Sequence, residues 1–341
     1  MQFKKIGGSM RKKMNIKKSI KYGIYCILFM GILTLIGCGN TKDKDVTGKE
    51  EKKKIICSTF PQYDWVRAVL GENNNNFSVS LLMENGGDLH NYQPTAGDMI
   101  RISDCDLFIF VGGESDAWVE GAIKESMNQN QKSLKLMDLL GENLKEEEHI
   151  EGMEEEQGEE HEETGYDEHV WLSLSNAQIM VEKIANVIGT MDTTHAEQYH
   201  ENAKTYCNQL EDLNNRYKEV VSQSDKKVLL FGDRFPFRYL IEDYGISYYA
   251  AFEGCSAETE ASFETVAFLS EKIKEHKLSS VLVLENSDKK VADAIIANTD
   301  TKDQKILVIN SLQSVTKEEI DQGRTYISTM EENLEILKQA L

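Results

Sequence analysis

The hydrophobic pattern divides the chain into short apolar runs and longer segments in which apolar residues recur every three or four positions. In the first half, the apolar runs predict strands and the periodic segments predict helices. The predicted strands span 55–60, 77–83, 106–111 and 133–137, and the predicted helices span 61–71, 95–102 and 118–127. Strands that alternate with helices are typical of an α/β fold with a mainly parallel sheet.

The same alternation returns in the last third of the chain. Strands are predicted at 228–231, 246–251, 280–284 and 305–309, and helices at 237–244, 263–276, 289–298 and 323–341. Between the two halves lie two helical segments, 174–189 and 194–221, and the second carries one apolar stripe. At 1.5 Å per residue that helix is about 42 Å long, enough to run along two lobes. We therefore predict two α/β lobes, 55–190 and 224–341, joined by a spine helix within 191–223.

The first 37 residues form a leader that differs from the rest of the chain. They hold eight Lys or Arg residues and no acidic residue, and they end in an apolar run at 23–37. That run is shorter than the roughly 20 residues that a spanning helix needs, which is typical of a secretory signal peptide. Its last letters, LIGC at 35–38, resemble the lipobox of bacterial lipoproteins. The resemblance implies a signal peptide at 1–37, a lipid on Cys38, a polar tether at 38–54, and a chain anchored to the extracytoplasmic face of the cell membrane. The alternative is an uncleaved signal anchor with a buried cysteine.

The net charge narrows the choice of partners. The chain has 38 Lys and Arg against 58 Asp and Glu residues, a formal net charge of -20. Nucleic acid is excluded as a partner because its phosphates require a basic surface. An acidic surface is compatible with the capture of a cation, although most surface charge serves solubility.

A strongly acidic segment interrupts the first half at 141–168. It contains fourteen acidic residues, one lysine and two histidines, His149 and His161. We expect an insertion loop, because so few apolar residues cannot bury enough surface to order the segment. Its carboxylates and imidazoles could raise the local concentration of a cation, and the alternative is a merely solvated insertion.

Two other histidines stand where ordered structure is predicted. His90 follows the strand at 77–83 and lies shortly before the helix that begins near residue 95. His169 comes directly after the acidic segment and directly before the apolar residues 170–172. Imidazole nitrogen is a good zinc ligand. In α/β folds, moreover, ligands bind in the crevice at the carboxyl ends of the strands. Both residues are therefore candidate metal ligands.

Four segments carry a resemblance to the solute-binding lipoproteins of ABC importers for zinc and manganese. They are GDLHNYQPT at 87–95, DEHVWLS at 167–173, RFPFRYL at 234–240 and YISTMEENL at 326–334, and the resemblance extends from about residue 54 to the end of the chain. It implies two α/β lobes joined by a rigid helix with the metal in the interlobe cleft. It also implies a monomer without catalytic activity that delivers its ion to a membrane permease and its ATPase.

The remaining ligands are where the chain departs from that family. Zinc-type relatives place a histidine, and manganese-type relatives a glutamate, at the position that Arg234 occupies here. Arg234 cannot coordinate because it stays protonated. The neighbouring Asp233 is therefore a candidate ligand, with a helix cap or a salt bridge to Arg234 as its alternative role. Gln313 and Glu285 are the further candidates. The acidic segment favours Zn²⁺, with Mn²⁺ as the alternative.

The sequence is also compatible with two other functions. One alternative is a metal-dependent surface adhesin of the same fold, and another is an extracytoplasmic zinc hydrolase, although the sequence has no HExxH motif. The six cysteines include no CxxC pair, so a thiolate zinc cage is not predicted. The four beyond the leader predict either one disulfide or small buried side chains.

Overall fold

The computed structural model describes residues 51–71, 75–154, 165–254 and 260–341. The first lobe contains a four-stranded parallel sheet in the order β2-β1-β3-β4. Its elements are β1 (Lys53–Cys57), α1 (Phe60–Leu70), β2 (Phe77–Leu81), α2 (Ala96–Ser103), β3 (Leu107–Phe110), α3 (Val119–Lys124) and β4 (Lys132–Lys135). Alternate residues of β3 point to opposite faces of the sheet, so Leu107 and Phe108 pack in two separate apolar clusters.

Two helices and a second lobe follow. The helices are α4 (Leu174–Met191) and α5 (Ala196–Gln223), and the second sheet is also parallel, with the order β6-β5-β7-β8. The elements of this lobe are β5 (Val228–Phe235), α6 (Arg238–Asp243), β6 (Ser247–Glu253), α7 (Phe263–His276), β7 (Ser280–Leu284), α8 (Lys290–Ala297), β8 (Lys305–Ile309), α9 (Lys317–Asp321) and α10 (Tyr326–Ala340). The two sheets thus share one strand topology.

Helix α5 contacts both lobes. The hydroxyl of Tyr206 on α5 donates to Asp64 on α1 over 3.2 Å, and that of Tyr217 donates to the carbonyl of Met330 on α10 over 2.6 Å. Its 28 residues turn one apolar face inward, which buries Leu210 among others. The predicted α/β fold with two lobes and one long connecting helix is confirmed.

Two strands extend beyond their predicted ends. Strand β1 begins at Lys53, inside the predicted tether, because Lys53 pairs in register with Phe77 of β2. Strand β5 continues to Phe235 instead of ending at residue 231, with a shift of register between Phe231 and Arg234. This extension brings Arg234 into the sheet.

The closing helix is shorter than predicted. Gly323 adopts φ of +97°, a left-handed conformation that favours glycine and ends the preceding turn. Thr325 then caps α10 by accepting a hydrogen bond from the backbone N–H of Ser328. The short helix α9, which begins after a similar cap at Thr316, was not predicted.

The acidic segment has defined structure over residues 141–154 and 165–168, and part of it is held by contacts with the second lobe. Glu146 and Tyr166 form an antiparallel bridge. Met153 is buried, and the backbone N–H of Glu154 donates to the carbonyl of Ala251 over 2.9 Å. The second lobe therefore supplies the contacts that the segment lacks by itself.

The leader lies outside the described residues. With it lie Cys38 and the predicted signal peptide and tether as far as residue 50. In the four described ranges, no helix has both the length and the apolar character needed to cross a membrane. Cys57, Cys105 and Cys207 are buried free thiols, which favours the interpretation of small buried side chains for these three.

Candidate metal centre

The segment that follows β2 holds His90 in a short 3-10 helix, Leu89–Asn91. The Asp88 carboxylate caps this helix by accepting a hydrogen bond from the backbone N–H of His90 over 3.1 Å. Leu89 is buried beneath the turn and fixes it to the first lobe. His90 thus lies in a capped turn of the segment that follows β2.

His169 is fully buried, with no exposed surface. Its neighbour Asp167 accepts two hydrogen bonds with the same oxygen, one from the backbone N–H of His169 over 2.8 Å and one from its ring Nδ1 over 3.0 Å. The apolar residues that follow His169 are also held in place, because the Trp171 indole donates a hydrogen bond to the carbonyl of Ser311 over 2.9 Å. Gly254 approaches the ring so closely that a Cβ built there would lie 3.3 Å from Cε1 of His169.

The two histidines face one another. Their Nε2 atoms are 3.1 Å apart, close to the roughly 3.3 Å that separates two nitrogens bound to a tetrahedral zinc ion at about 2.0–2.1 Å. On the opposite side of each ring, Nδ1 of His90 lies 2.8 Å from the Ser115 hydroxyl, and Nδ1 of His169 is bonded to Asp167. Hydrogen bonds at Nδ1 leave the Nε2 lone pairs directed at a shared point, which is how metal-binding histidines are held.

The electrostatics of the two rings differ. Burial, together with the neighbouring ring of His169, lowers the pKa of His90 to about 3, so this imidazole stays neutral and ready to coordinate. Burial is the largest influence on His169 and acts to lower its pKa, but the carboxylates of Asp167, Glu168 and Glu147 together raise that pKa above its ordinary value. A cation between the rings would therefore contact the neutral ring of His90 and the ring of His169, whose Nδ1 is hydrogen-bonded to the Asp167 carboxylate.

The other predicted ligands line a separate cavity of about 360 Å³ beside the His90 turn. Asp233, Glu285 and Gln313 all face it, as do Asp88 and Arg234. Arg234 donates to the Asp88 carboxylate over 2.7 Å and so connects the second lobe to the His90 turn.

Two of these three candidates already bind backbone groups of their own lobe. Asp233 accepts from the backbone N–H of Arg234 over 2.8 Å and of Leu284 over 3.2 Å. Glu285 accepts from the backbone N–H of Ser311 over 2.9 Å and from its hydroxyl over 2.8 Å.

Gln313 differs, because its Oε1 is buried and has no hydrogen-bond partner within the described ranges. Those ranges contain no group of three or more His, Cys, Asp or Glu side chains arranged to hold a metal ion. The assignment of Asp233, Glu285 and Gln313 as ligands stays a prediction.

Of the two histidines in the acidic segment, His149 lies within the described residues. His149 is exposed, and its Nδ1 lies 2.8 Å from a carboxylate oxygen of Glu253 at the end of β6. His161 and the lipidation candidate Cys38 are outside the described residues.

Sequence reasoning missed three residues that support the histidines. Asp88 and Asp167 each stand two positions before a histidine, a spacing at which a carboxylate can cap the backbone N–H that follows, so this signal was present. Ser115 is 25 residues from His90, and nothing in the local pattern marks it.

Known proteins resemble this chain over most of its length. The family described as "Zinc-uptake complex component A periplasmic", ZnuA, matches residues 55–340. The zinc-binding lipoprotein AdcA of Streptococcus pneumoniae strain R6 is 31% identical over 328 residues, which cover 95% of this chain but only 60% of that protein. The chain thus spans less than two thirds of AdcA.

A second relative matches over nearly its whole length. The high-affinity zinc uptake system protein ZnuA of Bacillus subtilis is 31% identical over 314 residues, 91% of this chain and 94% of that protein. Among solved structures, the Zn(II)-bound ZnuA-like domain of S. pneumoniae AdcA superposes with a TM-score of 0.66 at 28% identity, covering 85% of this chain and 99% of that domain. The chain belongs to the ZnuA family.

Proposed function

We propose that this protein captures zinc outside the cytoplasm and delivers it to the permease of an ABC importer. The observation that carries the proposal is the facing pair of Nε2 atoms of His90 and His169, 3.1 Å apart, with each Nδ1 held by a hydrogen bond. The names of the relatives from S. pneumoniae and B. subtilis, which describe zinc binding and zinc uptake, support the same ion.

The chemistry of the pair favours zinc over manganese. Zinc accepts imidazole nitrogen readily, whereas manganese prefers carboxylate, carbonyl and water oxygens. The carboxylates that hold the two histidine turns, Asp167 and Asp88, are engaged with protein groups. The two nitrogens are therefore the strongest available donors.

The remaining coordination positions belong to the cavity beside the His90 turn. Asp233, Glu285 and Gln313 are our candidates there, and the unpartnered Oε1 of Gln313 makes it the side chain that is easiest to recruit from the described part of the chain. Asp233 and Glu285 accept hydrogen bonds from backbone N–H groups, which orient the two carboxylates and leave each with further lone pairs for a metal.

The proposed role is binding and release without chemical transformation of a substrate. We further propose that the chain is a monomer anchored through a lipid on Cys38, and that His149 and His161 in the acidic segment attract the ion without forming the principal site. The exposed position of His149 suits such an accessory role.

A competition titration of the purified full chain in detergent tests the proposal. We expect one zinc ion per chain, with manganese bound roughly 100-fold more weakly or worse. His90→Ala and His169→Ala should each weaken zinc binding by roughly 100-fold or more, because each removes one of two nitrogen ligands. His200→Ala, at an exposed position on α5, is the matched control and should bind as the unaltered chain does.

Three outcomes would overturn parts of this proposal. A preference for manganese would assign the protein to the manganese-type importers. If neither ion bound, or if zinc binding survived both substitutions, the histidine pair would not be the capture site. Delivery is tested separately by zinc-dependent growth of cells that carry the permease with either the unaltered chain or His169→Ala.

A further inference from the structure

Glu168 is a buried carboxyl group whose side chain lies against the first lobe. It is 3% exposed, although it immediately precedes His169 in the chain. Its Oε1 accepts a hydrogen bond from the backbone N–H of Ser115 over 2.9 Å. Its Oε2 lies 3.7 Å from Nδ1 of His90 and has no hydrogen-bond partner in the part of the chain that the structure describes. A carboxylate is costly to bury without full hydrogen bonding, so this position requires an explanation.

The loop after β3 is shaped around this carboxyl group. Gly113 has φ of +83°, and a Cβ built on it would lie 2.2 Å from Oε1 of Glu168. Both the backbone conformation and the lack of space require glycine at this position. Glu168 therefore occupies a site that the loop leaves open for it.

Ser115 connects Glu168 to the metal centre. Its hydroxyl is 2.8 Å from Nδ1 of His90, and its backbone N–H binds Glu168. For Nε2 of His90 to coordinate a metal, Nδ1 must carry the ring proton, and the Ser115 oxygen must accept it in a hydrogen bond. The Oε2 oxygen of Glu168, 3.7 Å from Nδ1, is an acceptor on the same side of the ring, so it also favours the proton on that nitrogen and thus the tautomer that binds metal.

We propose that Glu168 is a positioning residue for zinc: through Ser115 and its own Oε2 oxygen, it holds the His90 ring in the tautomer that directs Nε2 at His169. The inference rests on the proposed function, since it concerns the same ion. It adds a residue that does not touch the metal and yet sets the affinity for it. Groups that orient a metal-bound histidine in this way typically change affinity by about 10–100-fold when altered.

The test compares Glu168→Gln with Glu114→Gln in the full chain. Glu114 is exposed and lies in the same loop as Ser115, so the two substitutions make the same chemical change in the same region. We expect Glu168→Gln to bind zinc about 10–100-fold more weakly. Glu114→Gln should stay within about twofold of the unaltered chain, because an exposed charge is screened by solvent.

A second measurement separates positioning from general damage. The ¹⁵N chemical shifts of the His90 ring, recorded without metal, report which nitrogen carries the proton. We expect the proton on Nδ1 in the unaltered chain and in Glu114→Gln, and a mixture of tautomers in Glu168→Gln. A loss of packing alone would lower the melting temperature without redistributing the tautomers, and that result would contradict the inference.

Ser115→Ala provides an independent variant if Glu168→Gln fails to fold. It removes the hydroxyl beside His90 and keeps the carboxyl group, and it should also weaken zinc binding about 10-fold or more. Zinc binding and His90 tautomers that match the control in both variants would overturn the inference and leave the proposed function intact. Failure of the unaltered chain to bind zinc would instead overturn the proposed function.

Discussion

The two sides of the cleft are built differently. Both facing histidines come from the chain before α5, and each has its Nδ1 bound by a neighbour, Ser115 or Asp167. The residues after α5 offer Asp233 and Glu285, whose carboxylates bind backbone N–H groups of their own lobe. On the first side the hydrogen bonds lie at Nδ1, away from the facing Nε2 atoms, whereas on the second side they lie on the candidate ligand oxygens themselves. From this difference we expect zinc affinity to be set mainly by the residues before α5.

The largest effect that would test this comparison is expected at Asp167. Asp167→Asn removes the charge behind His169 and disturbs the hydrogen bond to Nδ1, and we expect zinc binding to weaken by about 10–100-fold. A competition titration measures the change. Asp303→Asn, at an exposed position in the second lobe, is the control. Equal affinity in the two variants would mean that the first side is not organised as described.

The general architecture could be predicted from the sequence because it depends on periodicity. The strand Ser280–Leu284 and the helix Phe263–His276 match their predicted bounds, since each is a clear apolar run or an amphipathic segment between strong breaks. The short helix α9 was missed because it buries no residue and so leaves no hydrophobic pattern.

The candidate metal centre could be predicted from the sequence only in part. His90 and His169 stand in recognisable motifs, and the structure brings their Nε2 atoms together. Ser115 and Glu168 were not recognised, because their roles depend on how the loop after β3 folds back towards the His90 turn. Tertiary proximity of this kind has no local signature in a single sequence.

A smaller effect is expected from the ion pair that joins the two sides. Arg234→Gln and Asp88→Asn each break a pair that is about one-fifth exposed, between 18% and 23%. We expect each change to lower the free energy of unfolding by about 1–2 kcal/mol, between the values for exposed and buried pairs. Chemical denaturation of the two single variants and the double variant measures the coupling. Additive losses would show that Arg234 does not support the His90 turn through Asp88.

The smallest effect should come from Gln313. Gln313→Glu places a carboxylate, a stronger zinc ligand than an amide, at the one candidate whose oxygen lacks a partner among the described residues. We expect zinc to bind about 3–10-fold more tightly, a gain of at most about 1.4 kcal/mol in binding free energy. Gln339→Glu, exposed near the end of α10, is the control. An unchanged affinity would show that the second side contributes no ligand at this position.

The continuous helix α5 has a consequence for how fast the ion can leave. Its 28 residues form about eight turns, and Tyr206 and Tyr217 bind it to both lobes. Swinging one lobe away from the other would require bending this helix or breaking those contacts. We therefore expect the dwell time of zinc to depend on local opening of the loops that cover the fully buried His169. On the proposed function, the rate of transfer to a permease would then depend on how readily those loops open.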